Sequence, residues 1–143
     1  MSDAPNRFLV AGAGLSTLAA LLHVAIIFVG PSWYRLFGAG EQMARLAESG
    51  HWYPPLITTG IALVLGAWAL VAASAAGVIA PLPLLKPALC VITAIYLLRG
   101  LAVLPMFAID RALATPFWWW SSAICLVYGL VHLIGLHQMW SRL

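Results

Sequence analysis

The side chains that could do chemistry in this chain are His23, Glu41, Tyr96, Arg99, Cys125 and Tyr128, set in an otherwise apolar sequence. Arg99 is the most informative of them. It stands within the apolar run of residues 89–104, with no Asp or Glu nearby in sequence. A charge near the bilayer interior costs about 2.5–3.5 kcal/mol on insertion scales, so it faces a bundle interior and takes a partner. The guanidinium fork suits a carboxylate or an anionic or carbonyl-bearing ligand. Three fates follow for Arg99: an ion pair with Glu41, a bound ligand, or a side chain that snorkels along the lipid face.

Helical spacing sorts the embedded polar residues into stripes. Ser121, Cys125, Tyr128, His132 and Gly135 share one face, as do Gly12, Ser16, Ala19 and His23. Cys90, Thr93, Tyr96 and Gly100 form a third stripe, and Thr59, Gly66 and Ala73 a fourth. Small and hydroxyl residues at such spacing let membrane helices approach closely, which accounts for most of these positions by packing alone. Depth decides which ionisable groups can meet. Counted from the end that faces the first loop, His23 lies at roughly 9 Å, Arg99 at roughly 8–14 Å, and Cys125 and Tyr128 at roughly 12 and 16 Å. Tyr96 sits a turn deeper than Arg99, and His132, at roughly 23 Å, falls outside this layer. The expected site has Arg99 as clamp, His23 and Tyr96 as hydrogen-bonding walls, Tyr128 as floor and Glu41 as partner or gate.

The same arithmetic disfavours haem. Two axial histidines must face one iron, whereas His23 and His132 differ by roughly 14 Å in depth. His132 and His137, five residues apart, point to different helix faces. Cys90 and Cys125 form no C-x-x-C pair and read as small buried hydrophobes. No nucleophile or metal-ligand set stands out, so no cofactor and no catalytic role are expected.

The elements that must position these groups are membrane helices. Hydrophobic residues make up 64% of the 143 positions and charged residues 8%, with a mean hydropathy of +1.00. A soluble domain carries roughly 25% charged residues, so this chain cannot coat itself for water. The net charge of +3 is scattered without a basic stripe, which argues against nucleic-acid binding. Apolar runs at about 8–29, 56–79, 87–108 and 117–139 meet the roughly 20-residue requirement for spanning. The expected fold is an all-α, four-transmembrane-helix up-down bundle forming a single membrane domain over residues 1–143. The first run is too long for a signal peptide and lacks a small-x-small cleavage site. Pro31, Pro54-Pro55, Pro81, Pro83, Pro87 and Pro116 punctuate the spans, and Pro105 kinks or ends the third.

Residues 31–54 form the one long connection. A short interfacial helix is expected at about 39–49, with Glu41 and Arg45 at i,i+4 and Gly50 as its C-terminal stop. Trp33, Tyr34, Trp52, Tyr53 and the Trp118–Trp120 run would then anchor one interface. Basic residues tie between the two sides, and a slight acid imbalance leaves the termini on the cytoplasmic side.

The absence of an embedded glutamate separates the chain from small multidrug-resistance transporters, and the absence of paired cysteines from disulfide-forming quinone reductases. In size and layout it is similar to small bacterial four-helix membrane proteins of the DoxX-like group, which implies a bacterial inner membrane but carries no residue roles across. The function expected is binding of a hydrophobic or amphipathic ligand of lipid, quinone or isoprenoid type in an intrabundle pocket around Arg99. One alternative is a structural subunit of a homo-oligomer or membrane complex, with Arg99–Glu41 as architecture. A small transporter is the other.

Overall fold

A computed structural model describes residues 4–143. Every regular element among them is helical: α1 (Arg7–Val29), α2 (Pro31–Leu36), α3 (Glu41–Glu48), α4 (Tyr53–Ala75), α5 (Leu85–Leu101), α6 (Val103–Ile109) and α7 (Pro116–Met139). Four stretches are long and apolar enough to cross a membrane: Arg7–Val29, Tyr53–Ala75, Leu85–Ile109 and Pro116–Met139. This is the pattern of a multi-pass membrane protein. Large apolar side chains such as Phe28, Leu63 and Leu98 lie on the outside, where lipid rather than water suits them.

Helix ends follow local chemistry. Asn6 caps α1, its Oδ1 accepting the Leu9 amide at 3.0 Å. Pro31 stops α1 and also opens α2, because the first turn of a helix needs no proline N–H. The same tolerance lets α4 begin at Tyr53, earlier than the expected 56, with Pro54 and Pro55 in its first turn. Gly50, at φ +71°, ends α3 in the left-handed conformation expected of it. Pro105 does not end the third span. It breaks it at Ala102, between α5 and α6, since its ring clashes with the carbonyl four residues earlier, that of Leu101.

The chain folds as two units. One comprises residues up to Leu15 together with Trp68–Leu143; the other is Ser16–Ala67. In the first, Leu9, Ala75, Ala76, Leu89 and Leu136 form the buried core. The Asn6 amide donates to the Ala76 carbonyl at 3.0 Å, and its side chain donates to Gln138 at 2.8 Å. In this unit α5 packs closely on α7. A Cβ added to Gly100 would sit 2.6 Å from the Leu126 nitrogen, and one on Gly129 would sit 2.7 Å from Leu97 Cδ2. The two pairings, 100 with 126 and 97 with 129, define an antiparallel register that fixes every other neighbour along the seam.

In the second unit Ile26, Tyr34 and Ala44 are the core, flanked by Leu22, Trp33, Phe37, Met43 and Ala47. Tyr34 is 3% exposed. Its hydroxyl shares a 3.1 Å hydrogen bond with Thr58 Oγ1, and the Thr58 hydroxyl also lies 2.8 Å from the Pro54 carbonyl. This ties α2 to the start of α4.

Candidate functional site

The α5/α7 seam carries the candidate site. Gly100 brings α5 against the α7 backbone, and Arg99 beside it reaches along α7. Arg99 Nη1 donates to Ser122 Oγ and Nη2 to Ser121 Oγ, each at 3.0 Å. The guanidinium carbon stands 4.2 Å from the centroid of the Trp118 ring, a cation–π arrangement. Trp118, Ser121, Ser122 and Cys125 recur at helical spacing, so one face of α7 supplies them all. The serine protons have their own acceptors at long distance, Ser121 toward the Trp118 carbonyl of the same helix at 3.4 Å and Ser122 toward the Arg99 carbonyl at 3.5 Å. Their lone pairs are thus turned to the guanidinium. Both partners are neutral. The one carboxylate side chain among the described residues of this unit is Asp110, and its Oδ1 accepts the Ala112 amide at 2.9 Å.

One turn along the seam stands Tyr96, 5% exposed. Its ring meets Trp68 at 5.1 Å, Tyr128 at 5.4 Å and His132 at 5.2 Å between centroids. His132 therefore belongs with Tyr96 and Tyr128, correcting the depth count that set it apart. The third span continues past Pro105, the deeper of the two outcomes the depth count allowed for Arg99. It runs on to Ile109, which places Arg99 about 15 Å from that end and Tyr96 lower still. The register then puts Tyr96 opposite residue 130, between Tyr128 and His132.

His132 is fully buried. Its Nδ1 lies 2.8 Å from the Tyr128 carbonyl; a carbonyl only accepts, so Nδ1 carries the proton and Nε2 presents a lone pair. That Nε2 has no hydrogen-bond partner. A Cβ on Gly12 would fall 2.8 Å from His132 Cε1 and 3.0 Å from Nε2, so α1 can pass the ring there only as glycine.

The second unit holds the other expected site residues. His23 is half-buried, with Nδ1 2.7 Å from the Ala19 carbonyl, the same back-bonding that orients His132. Glu41 lies on the exposed side of α2 and α3. Arg35 grips it through two bonds, Nε to Oε2 at 2.8 Å and Nη2 to Oε1 at 3.0 Å. Arg45 Nε adds 3.2 Å to Oε1, the expected i,i+4 pair, and Arg35 Nη2 donates to Glu48 at 2.7 Å. The Arg35 hydrogen bond, then that from Arg45, holds the Glu41 carboxyl down to about 2, while Glu41 and then Glu48 push Arg35 further above its ordinary value.

Arg99 and Glu41 each have partners within their own unit: serines and a tryptophan for Arg99, arginines for Glu41. Arg35 escaped the sequence reading because it lies six residues before Glu41, outside helical pairing distance. The Gly38-Ala39-Gly40 turn, with positive φ at both glycines, brings it back. Ser121 and Trp118 were legible only as packing and as an interfacial anchor, and Ser122 fell outside the stripe that spacing picked out. Their relation to Arg99 depends on the seam register, which no local spacing encodes.

The second unit has cavities of its own. One of about 360 Å³ is a surface groove along Glu41, Gln42, Arg45 and Leu46; one of about 170 Å³ lies among Gly30, Tyr34, Ala47, His51 and neighbours. No group of three or more His, Cys, Asp or Glu side chains among the described residues is placed to hold a metal ion. No protein-family model, curated protein or solved structure matches this chain, so the site is read from its own residues.

Proposed function

We propose that this chain binds a hydrophobic or amphipathic ligand at the α5/α7 seam, with Arg99 as the clamp and Tyr96 and Tyr128 as aromatic walls. The observation that carries the reading is a cation within a membrane span whose protein partners are two neutral serines and one aromatic ring. Embedded charges are retained where they pair or bind. A half-buried guanidinium with unsatisfied donors offers the polar anchor that an otherwise apolar site needs. The up-down arrangement of the spans, an interfacial position for α3 and cytoplasmic termini complete the proposal.

Cys125 provides the test. It lies about one helical turn along the same α7 face from Ser121 and Ser122, which hold Arg99, so a ligand seated on Arg99 covers it. In a Cys90→Ala background, membrane lipid extract should slow alkylation of Cys125 by a permeant maleimide several-fold. Arg99→Gln should abolish that protection. Protection that persists in Arg99→Gln would place the ligand elsewhere.

A second reading has its own support. The serine bonds from Arg99 join α5 to α7, as an architectural residue would. In that case Cys125 alkylation ignores added lipid, and Arg99→Gln lowers stability alone.

A further inference from the structure

Arg35 and Arg99 are a natural comparison. Arg35 turns its Nε–Nη2 edge to both oxygens of the Glu41 carboxylate, the two-donor recognition that suits a guanidinium to such anions. Arg99 uses one proton on each terminal nitrogen for a serine, and its Nε–H donates to no acceptor in its unit. Of the five N–H donors a guanidinium carries, the Nε–H and one on each terminal nitrogen remain. Serine hydroxyls satisfy geometry but supply no negative charge.

Height narrows what could. The 24 residues of α7 span about 36 Å, against a hydrocarbon layer of about 30 Å, so each end projects about 3 Å beyond it. Ser121 and Ser122 lie five and six residues past Pro116, about 8 Å along the helix, which sets the guanidinium about 5 Å beneath the hydrocarbon boundary. The Arg99 backbone is deeper, about 15 Å from Ile109. The side chain therefore climbs toward the headgroups, as a snorkelling arginine does, yet it climbs along α7 to the two serines with Trp118 against the guanidinium. The position is within reach of a headgroup of that leaflet. A neutral quinone carbonyl would leave the charge uncompensated.

We infer that the Nε edge of Arg99 takes a two-oxygen anion, a carboxylate or a phosphate, carried on a membrane lipid that enters sideways from the leaflet at the 109–116 end. The inference rests on the reading of Arg99 as a ligand clamp. Its chemistry is that of the Arg35–Glu41 pair, with the lipid headgroup in the place of Glu41.

The test is a series of probes on the delipidated, detergent-solubilised full chain, with affinity read by native mass spectrometry: oleate, oleoyl lysophosphatidate, monoolein, decylubiquinone, acetate and inorganic phosphate. Oleate or the lysophosphatidate should bind at least about tenfold more tightly than monoolein or decylubiquinone, and acetate and phosphate should not bind in the same range. Arg99→Lys, which keeps the charge but loses the two-donor edge, should cost at least about tenfold. Arg111→Gln, removing a charge near the same end, should leave binding unchanged. Equal, Arg99-dependent binding of monoolein or decylubiquinone would overturn the anion inference and leave the clamp reading standing. Binding of free phosphate or acetate as tight as that of the lipids would overturn the lipid source. No Arg99-dependent binding by any probe would remove both.

Discussion

Gly100→Ala is the substitution from which the seam can be judged most sharply. The added Cβ would sit 2.6 Å from the nitrogen, 2.7 Å from the Cα and 2.9 Å from the Cβ of Leu126. Two of those atoms are backbone, so no rotamer change relieves the clash and α5 must move off α7. Overpacking of this kind costs about 1–3 kcal/mol, and the rigidity of the obstruction places it at the upper end. Alanine regains about 0.8–1.0 kcal/mol of helix propensity, leaving a net loss of about 2 kcal/mol, a factor of about 30 in the folding equilibrium. Gly14→Ala is the matched control. Its Cβ meets nothing within 4 Å, so it should be neutral or stabilise by up to about 1 kcal/mol. Reversible unfolding in mixed dodecyl sulfate and maltoside micelles, followed by tryptophan fluorescence, gives both numbers. Because Arg99 adjoins Gly100, the same movement lengthens its bonds to Ser121 and Ser122, so Arg99-dependent lipid retention should fall in Gly100→Ala alone. A Gly100→Ala protein as stable as the parent, or equal losses for the two alanines, would refute the close α5/α7 crossing and the register built on it.

Three further outcomes follow from named contacts. Glu41, held down to about 2 from an ordinary 4.5, contributes stability that is fully present above its unfolded pKa and lost as pH falls through the folded one. Amide exchange across residues 31–52 should accordingly be flat from pH 7 to about 5 and rise only between about 4.5 and 2, with no such rise in Glu41→Gln; 1 M salt should weaken this exposed network at any pH in that range. Arg99 and Glu41 each have partners within their own unit, so the stability effects of Arg99→Gln and Glu41→Gln should add to within about 0.5 kcal/mol, and a larger coupling in the double mutant would mean that the two side chains interact. His132→Leu removes a buried acceptor that has no partner together with the Nδ1 bond to the Tyr128 carbonyl, so its stability should fall by no more than about 1.5 kcal/mol, whereas a loss of several kcal/mol in micelle unfolding would mean that Nε2 is engaged.

What could be read from the sequence and what could not divide along a physical line. The four spans were legible because about twenty apolar residues in a row have one solvent that suits them, and their ends held to within about four residues. The errors came from proline. Pro31, Pro54 and Pro55 sit in first turns, where proline is at home, so a short extra helix (α2) and an earlier α4 went unread. Pro105 bends a span that continues to Ile109, so Tyr96 lies at the deep end of the range the spacing left open and reaches His132. Local pairs such as Glu41–Arg45 follow from helical spacing, and the structure has that one at 3.2 Å. The partners of Arg99 are 22 and 23 residues away, set by glycines on two helices that must meet in one register. Spacing within a helix is silent about that. The polar stripes named the buried faces of the first, third and fourth spans, but not of the second, where Thr59 is exposed and Thr58, Ala62, Leu65, Ala69 and Ala72 are buried instead; which faces meet they left open.

The central claim is that the charge of Arg99 is matched by something the membrane provides. Native mass spectrometry of the protein released directly from membranes tests it most plainly. The account predicts one retained anionic lipid per chain, present in the parent and in Arg111→Gln and lost in Arg99→Gln. A parent protein that flies bare, or an adduct indifferent to Arg99, would contradict it.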